Sequence, residues 1–520
     1  MHCALQLDDI IYILFRHVNK LEPSAKYSVL GDDVGRKTLA ALARTCRIFH
    51  GPALDVLWGD LYFPHPLVEC LPHSGDQWYL DDHTNILNAS DWEVLQKYVP
   101  RVLSLTISQC HEEVPFYHNV LIALRQQPVT QPPLPNLQRL DCRHLIPEDY
   151  PLLDIFFVPS MTDLTIHIYP VDFPNIPLSI SPLATLCPRL TSLRLFGYGS
   201  HERIKATVSD VIMGLPYLQT LRCDELSQAA ITFIAWHPSL TELDLTIPSG
   251  HQYDFSQFPH PTLPRIPPFS RIKSFGMNSR HLTDITAFIQ TVQPSPSHLR
   301  INATKGSSLQ GLQEFFSALS NQRRCESMQS LRFQSNKLPP AASIDMDTIK
   351  PLLRFSKLRE LHLSMVKSFQ FSDEEVAVMG SSWPCLEDIT LNDGDGPGRV
   401  RPSPITLRGL ILLVNKCPRL RSAHLAIDAR VLEGIEERPA SMVGANDLQH
   451  LVLAETTVED PRAFALIVSL AFPKVKEVVI PRYSWWRIPS DEPRWGKVNE
   501  YLEVFRLSER NIEKPSFVDT

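Results

Sequence analysis

The sequence predicts an α/β solenoid, in which short parallel strands stack side by side and helices cover one face of the sheet. A pattern of proline and spaced leucines, P-x-L-x-x-L-x-L, runs cleanly through Pro188–Leu195 and begins again at Pro216, Pro238, Pro384 and Pro473. Its L-x-L end alternates apolar and polar residues, as a half-buried strand does. The stretches between copies are long enough for the crossover that parallel strands require.

The spacing of the copies supports the same architecture. Fourteen repeats are traced by their first apolar residue, at Val102, Leu137, Met161, Leu190, Leu218, Leu240, Ile272, Leu299, Met328, Leu358, Leu386, Leu420, Leu448 and Val475. Neighbouring positions lie between 22 residues (Leu218 to Leu240) and 35 residues (Val102 to Leu137) apart. Leucine-rich repeats have a period of about 20 to 29 residues. Because one repeat cannot bury its apolar faces alone, neighbours must stack.

We therefore predict a leucine-rich-repeat solenoid of horseshoe form, with parallel strands on the concave face and helices outside. Segments 311–319 and 407–414 are predicted helices. The alternative is a chance recurrence of leucines. Against it, proline often precedes the first apolar position by two residues, and the sequence Cys-Pro-Arg-Leu occurs twice, at Cys187–Leu190 and Cys417–Leu420. Proline suits that position because it does not have to donate to the strand ladder.

Composition narrows the class of protein. The chain has 520 residues, 43% of them hydrophobic, and a net charge of -7 without a basic run, which argues against a nucleic-acid surface. The ten cysteines form no C-x-x-C pair, as expected in a reducing compartment. Asp8 and Asp9 interrupt the first apolar stretch, so it makes a poor signal peptide, and no apolar run reaches membrane-spanning length. We predict an intracellular protein, cytoplasmic or nuclear, without membrane contact.

Three short helices are predicted before the repeats. The first carries its apolar stripe at Leu7, Ile11, Leu14, Phe15 and Val18. The second begins at Thr38 as N-cap, with Leu39, Leu42, Cys46 and Phe49 on one face. Gly51-Pro52 ends it, and Pro52 opens a third helix with Leu54, Leu57, Trp58 and Leu61 on its apolar side.

This run resembles an F-box, the helical module by which adaptors attach to cullin-RING ubiquitin ligases. Residues 7–15 (LDDIIYILF) follow the family's opening Leu-Pro-x-Glu-Ile-Leu-x-x-Ile-Phe, with Asp8 where proline is usual. Cys46 and Arg47 keep the family's Val-Cys-x-x-Trp pattern, in which Phe49 replaces the Trp, and Trp58 fits its closing Leu-Trp. Residues 39–58 are similar to F-box proteins with leucine-rich repeats from mushroom-forming fungi. The insertion at 19–37 is long for this module.

The resemblance implies a partner and the residues that contact it. The partner is the F-box-binding adaptor subunit of the ligase, and the contacting residues are Leu7, Ile10, Ile11, Leu14, Phe15, Leu42, Cys46, Phe49 and Trp58. The alternative is that these helices only cap the open end of the solenoid, as repeat arrays require.

Four segments follow from these patterns: an F-box-like module at 1–62, a linker and coupling helix at 63–98, the repeat array at 99–481, and a C-terminal cap and tail at 482–520. The coupling helix is predicted to begin at Ser90 or Asp91 and to bury Trp92, Leu95 and Val99. Clustered aromatic residues at Tyr483, Trp485, Trp486 and Trp495 are predicted to shield the last repeat or, as the alternative, to form a peptide pocket.

The remaining stretches of the sequence predict loops, and none of them carries a catalytic motif. The proline run at 128–135 predicts a rigid loop or, alternatively, a polyproline ligand. Long insertions lie at 247–268 and 392–404, and the second lacks the glycine and lysine spacing of a phosphate loop. No nucleophile elbow, zinc-binding HExxH or dinucleotide motif occurs, so we predict no enzyme and no catalytic, cofactor-binding or metal-binding residue. An enzyme with a dispersed site on the insertions is the remaining alternative.

Polar residues between the repeat leucines should line the concave face. The strongest candidates for binding a charged peptide or protein segment there are Arg139, Arg194, Arg222, Glu242 and Asp244. Arg194 and Arg222 should lie beside Glu242 and Asp244. Alternatively, these are ordinary solvated strand residues. Together the segments predict a substrate-recognition adaptor of an SCF-type cullin-RING ubiquitin ligase, or a leucine-rich-repeat scaffold unrelated to ubiquitin.

Overall fold

The computed structural model of the chain has two compact units, Met1–Leu240 and Thr241–Thr520, here called the N-terminal and the C-terminal unit. They do not coincide with the four segments expected from the sequence, whose boundaries stay predictions. The residues that the structure describes are 8–19, 34–62, 64–71, 87–108, 114–126, 131–143, 145–168, 179–250, 253–254, 267–305, 307–322, 325–335, 343–365, 369–391, 403–432, 435, 446–453, 458–480 and 492–512.

Three helices open the N-terminal unit: α1 (Asp8–Asn19), α2 (Val34–Leu42) and α3 (Arg47–Gly59). Their shared core consists of Ile11, Phe15, Leu39, Ala43, Ala53 and Val56. The stripe predicted on the first helix therefore packs inward at Ile11 and Phe15. Burying apolar side chains from all three helices stabilises a module that has little other core.

The predicted limits of the second and third helices are wrong. Thr38 does not cap a helix but lies inside α2, where its Oγ1 donates to Val34 O at 2.7 Å. The break falls between Leu42 and Arg47, and Pro52 lies inside α3. Proline removes one backbone hydrogen bond from a helix. The helix nevertheless continues through Pro52, and Ala53, which follows the proline, is buried in the core of the module.

The described strands of the N-terminal unit run parallel and pair in chain order. They are β1 (Asp60–Leu61), β2 (Ser104–Ser108), β3 (Arg139–Arg143), β4 (Asp163–His167), β5 (Ser192–Phe196) and β6 (Thr220–Cys223). The sequence did not predict β1. It begins directly after α3, so the helical module leads without a loop into the sheet.

Helices connect these strands. They are α4 (His65–Glu69), α5 (Ala89–Leu95), α6 (Val114–Arg125), α7 (Leu183–Leu186), α8 (Glu202–Met213) and α9 (Gln228–Ala235), with 3-10 helices at Val99–Arg101 and Pro147–Phe156. Trp92, Leu95 and Val99 are buried as predicted. The predicted cap of α5 was wrong: Asn88 caps it, and the side chain of Asp91 accepts from the Asn88 backbone in a capping box.

The C-terminal unit repeats the same plan. Its described strands, again parallel and paired in chain order, are β7 (Glu242–Thr246), β8 (Ser274–Ser279), β9 (His298–Ala303), β10 (Ser330–Ser335), β11 (Glu360–Met365), β12 (Asp388–Leu391), β13 (Ser422–Leu425), β14 (His450–Leu453) and β15 (Val478–Val479).

Its helices include the two that were predicted from the sequence between repeats. They are α10 (Leu282–Val292), α11 (Leu309–Ser320), α12 (Met346–Ile349), α13 (Asp373–Ser382), α14 (Leu407–Lys416), α15 (Pro461–Ala471) and α16 (Glu492–Ile512), with 3-10 helices at Cys325–Ser327 and Lys350–Arg354. The predictions for 311–319 and 407–414 are confirmed by α11 and α14.

The repeat leucines form the core of both units. All fourteen positions traced from the sequence are buried. One of them was assigned to the wrong place: Leu299 pairs with Leu331 inside the strands, so the residue equivalent to Met328 is the buried Pro296. The α/β class with parallel strands in chain order is confirmed in each unit. The horseshoe form and the F-box identity of the helices stay predictions.

Some predictions concern residues outside the described ranges. These are the partner contact of Leu7, the proline run at 128–130, most of the insertions at 255–266 and 392–402, and the aromatic residues Tyr483, Trp485 and Trp486. Among the described residues, no helix combines the length and the apolarity needed to cross a membrane.

Candidate protein-interaction surfaces

The helical module exposes large apolar side chains next to its core. On α1, Ile13 is 56% and Leu14 45% exposed, while Ile11 and Phe15 on the same helix are buried. Val34, the first residue of α2, is also exposed. A helix that is apolar on the side facing solvent as well as on its core side is unusual in an isolated domain and is typical of a surface that a partner covers.

The structure divides the residues predicted to contact a ligase subunit. Ile11, Phe15 and Trp58 are buried; Ile10, Leu42, Cys46 and Phe49 are half-buried, and Leu14 is exposed. The buried residues build the module because the apolar stripes of the three helices close on one another, with the rings of Phe15 and Phe49 5.4 Å apart edge to face. Whether the accessible residues contact a partner stays a prediction.

The C-terminal half of α3 packs against the segment that precedes β2. The Trp58 ring stacks on Tyr98, with centroids 4.4 Å apart. The guanidinium of Arg101 forms an ion pair with Asp55 and donates to Gly51 O at 3.3 Å. These contacts hold the helical module against the first strands of its unit.

Each unit also has a polar face, defined here as the strand side chains that alternate with the buried leucines. In the N-terminal unit, three arginines of this face are paired with carboxylates. Their guanidinium nitrogens lie 2.5 Å (Arg139 to Asp60), 2.6 Å (Arg143 to Asp141) and 3.0 Å (Arg194 to Asp163) from the carboxylate oxygens. The sequence had placed most of these residues on the face but not their pairing.

Arg222 differs from those arginines. It lies on β6 directly opposite Arg194 on β5, and its side chain makes no hydrogen bond or ion pair with any described residue. Two residues earlier in each strand, Ser192 faces Thr220. The Ser192 hydroxyl is buried and has no hydrogen-bond partner there.

In the C-terminal unit an ion pair reaches across a whole strand. Asp244 on β7 is buried and pairs with Arg300 on β9, and it also accepts from Asn278 Nδ2 at 2.8 Å. The strand between them carries Gly276 in register with both charged residues. A Cβ at Gly276 would lie 2.6 Å from Asp244 Cγ, so only glycine leaves room for this contact. Arg300 was missed from the sequence because Leu299 was placed out of register.

Farther along this face, charges pair diagonally between neighbouring strands. Arg332 Nη2 lies 3.2 Å from Glu360 Oε2, and His362 Nε2 lies 3.2 Å from Asp388 Oδ1. Partial burial alone would raise the pKa of Asp388, but hydrogen bonding and charge from His362 outweigh it and lower the pKa below its ordinary value.

The five residues predicted for substrate binding thus have different surroundings. Arg139, Arg194 and Asp244 already take part in ion pairs within their own units. Glu242 is exposed. Arg222 has no partner among the described residues. From the sequence we expected the two arginines to lie beside the two carboxylates, Glu242 and Asp244. Arg194 and Arg222 belong to one unit and the carboxylates to the other, so this expectation stays a prediction.

Within the described part of the chain, no group of three or more His, Cys, Asp or Glu side chains is arranged to hold a metal ion.

The chain has little similarity to known proteins. No protein-family profile matches the sequence, and no curated protein matches it. Among solved structures, the chain is similar to one in the crystal structure of the Rad7 and Elc1 complex in yeast, with 14% sequence identity and a TM-score of 0.34. That match covers 72% of this chain and 82% of the other.

Proposed function

We propose that this chain is a substrate-recognition adaptor of an SCF-type cullin-RING ubiquitin ligase. In this proposal, helices α1–α3 dock on the small F-box-binding subunit, and the polar faces of the repeats bind the protein that receives ubiquitin. The chain itself performs no catalysis and works inside the cell, in the cytoplasm or nucleus. The resemblance of residues 7–15 and 39–58 to an F-box supplies the identity of the partner.

One structural observation carries the docking half of the proposal. Ile13 and Leu14 are adjacent and exposed on α1, although Ile11 and Phe15 of the same helix close the core. Removing apolar surface from water favours association by about 25 cal/mol per Å². A partner that covers this side of α1 would recover that free energy without opening the core of the module.

The substrate half rests on the polar faces. Parallel strands present side chains from successive repeats at intervals of about 4.8 Å, which suits an extended protein segment better than a compact small molecule. Exposed arginines such as Arg332 and carboxylates such as Glu242 give these faces a charge pattern. Charge patterns of this kind select partners and orient them.

A second candidate is a repeat scaffold with no connection to ubiquitin, in which the helices only close the end of the sheet. The continuity of α3 with β1, the pairing of β1 with β2, and the stacking of Trp58 on Tyr98 favour it. A terminal cap is what a repeat array needs for solubility.

The experiment that separates the two is binding of the purified full chain to the purified F-box-binding subunit. Leu14→Asp should weaken binding about tenfold or more, because a charge would enter an apolar contact. Leu466→Asp is the matched control: Leu466 is a 43% exposed leucine on α15, so the same substitution there should leave binding unchanged.

Circular dichroism of both variants checks that they remain folded. No binding by the folded, unsubstituted chain rejects the ligase adaptor and leaves the capped scaffold. Equal losses for the two variants show that the docking surface was assigned to the wrong place.

A further inference from the structure

Of the two arginines that face each other on β5 and β6, only one is paired with a carboxylate among the described residues. Arg194 and Arg222 lie directly opposite each other on neighbouring strands. Like charges in that position repel and destabilise a sheet. Asp163 offsets the charge of Arg194 at 3.0 Å, whereas Arg222 forms no ion pair with a described residue.

A hydroxyl group next to these arginines also lacks a hydrogen-bond partner. Ser192 is 9% exposed, and its Oγ has no hydrogen-bond partner among the described residues. Burying a hydroxyl without a partner costs about 1 to 3 kcal/mol. Thr220 stands opposite it on β6. A cation without its counter-charge and a buried hydroxyl without a partner thus occupy adjacent positions of one polar face.

We propose that this cluster of Ser192, Thr220, Arg194 and Arg222 binds an anionic side chain of a protein partner, either a carboxylate or a phosphate. The proposal rests on the proposed function, since it names the class of segment that the repeats recognise. Arg222 supplies the main contact, because guanidinium donors match both anions in geometry and charge. Arg194 stays with Asp163 and contributes the surrounding positive potential.

Charge complementarity distinguishes this cluster from the other polar positions. Arg139, Arg143 and Arg194 already have carboxylate partners in the N-terminal unit, and Arg300 and Arg332 have theirs in the C-terminal unit. A ligand anion at any of those arginines would have to displace a carboxylate of the chain. At Arg222 there is no ion pair within the described residues that the ligand would have to break.

The test measures binding of the purified full chain to fluorescein-labelled peptide pools by fluorescence anisotropy. The pools have random flanking positions and differ only in a fixed central residue, which is glutamate, phosphoserine, glutamine or lysine. The glutamate or phosphoserine pool should bind best, and the stronger of the two identifies carboxylate or phosphate as the anion.

Substitutions locate the contact. Arg222→Gln should weaken binding of the preferred pool about tenfold or more, as for loss of a charge-assisted hydrogen bond. Ser192→Ala should weaken it by a smaller factor. Arg125→Gln is the control and should change little, because Arg125 lies on helix α6 instead of the polar face and is paired with Asp154.

The inference is overturned if all pools bind equally or none binds, or if Arg222→Gln binds the preferred pool like the unsubstituted chain. It is also overturned if duplex DNA competes for the same arginine, which would assign the cluster to nucleic acid. Docking on the F-box-binding subunit is measured separately through Leu14→Asp. Failure at Arg222 can therefore be distinguished from failure of the ligase proposal.

Discussion

At the scale of single residues, the charged side chains of the polar faces differ in whether they form an ion pair and in how buried that pair is. Half-exposed pairs such as Arg139 with Asp60 contribute little stability, about 0 to 1 kcal/mol each, because water screens them. The pair of Asp244 with Arg300 is different because the carboxylate is buried and depends on the missing side chain at Gly276. Because Gly276 has a hydrogen atom where alanine has a methyl group, the carboxylate of Asp244 can reach Arg300.

Gly276→Ala should therefore destabilise the protein by about 1 to 3 kcal/mol, the usual effect of overpacking. The new Cβ would lie within 2.8 Å of both carboxylate oxygens of Asp244 and would push them away from Asn278 and Arg300. Urea denaturation of the full chain measures the change.

Gly496→Ala is the control, because a Cβ at Gly496 in α16 would meet nothing within 4 Å. It should be neutral or stabilising by about 0.5 to 1 kcal/mol, since glycine is unfavourable inside a helix. If Gly276→Ala also stabilises, the close contact over β8 is not a constraint.

At the scale of elements, the last helix closes the last strand. A strand edge with unpaired backbone groups invites pairing with other chains. The side-chain amide of Asn499 on α16 donates to Val478 O at 3.0 Å, and its oxygen accepts from Val478 N–H at 2.9 Å. One side chain thus takes the place of a neighbouring strand along the two-residue β15.

Asn499→Asp tests this closure, because aspartate can still accept from Val478 N–H but would turn a second acceptor towards Val478 O. We expect α16 to lose about 1 kcal/mol of protection, as for one hydrogen bond, in hydrogen-exchange mass spectrometry of 492–512. Glu500→Gln, on the exposed neighbouring residue, should leave protection unchanged. Equal protection in the Asn499→Asp variant would show that packing alone holds the helix.

At the scale of the whole molecule, stability should be local. Within each unit the strands pair in chain order, so each repeat contacts mainly the repeats before and after it. Repeat arrays of this kind behave as a sum of repeats and their neighbouring interfaces. The loss of one core side chain should then be felt nearby and fade with distance along the chain.

Leu363→Ala provides the test, since Leu363 is fully buried in β11. It should cost about 2 to 5 kcal/mol, and amide exchange should accelerate most in β10, β11 and β12 and least in β2 and β3 of the other unit. Ser364→Ala, the next residue and on the polar face, should have little effect. Uniform acceleration across both units would contradict local stability.

Sequence periodicity located the strands well and the helix boundaries less well. Apolar alternation identified thirteen of the fourteen repeat positions, because burial of one strand face is a local pattern with period two. The limits of α2 and α3 were missed because the local signals for capping, at Thr38, and for breaking, at Pro52, lie inside helices. In each case the next residue, Leu39 or Ala53, is buried in the module core. Leu299 was misplaced because a proline, Pro296, takes the first apolar position of its repeat.

The sequence by itself determined the α/β class, the stacking of parallel strands and most of the polar residues on the strand faces. Only the tertiary structure decided which of those residues are already occupied. Asp244 and Arg300 lie on strands separated by a third, and Arg222, unlike Arg194, forms no ion pair with a described residue. Such distinctions depend on register between strands and on the reach of individual side chains, and neither is encoded in the local pattern of one repeat.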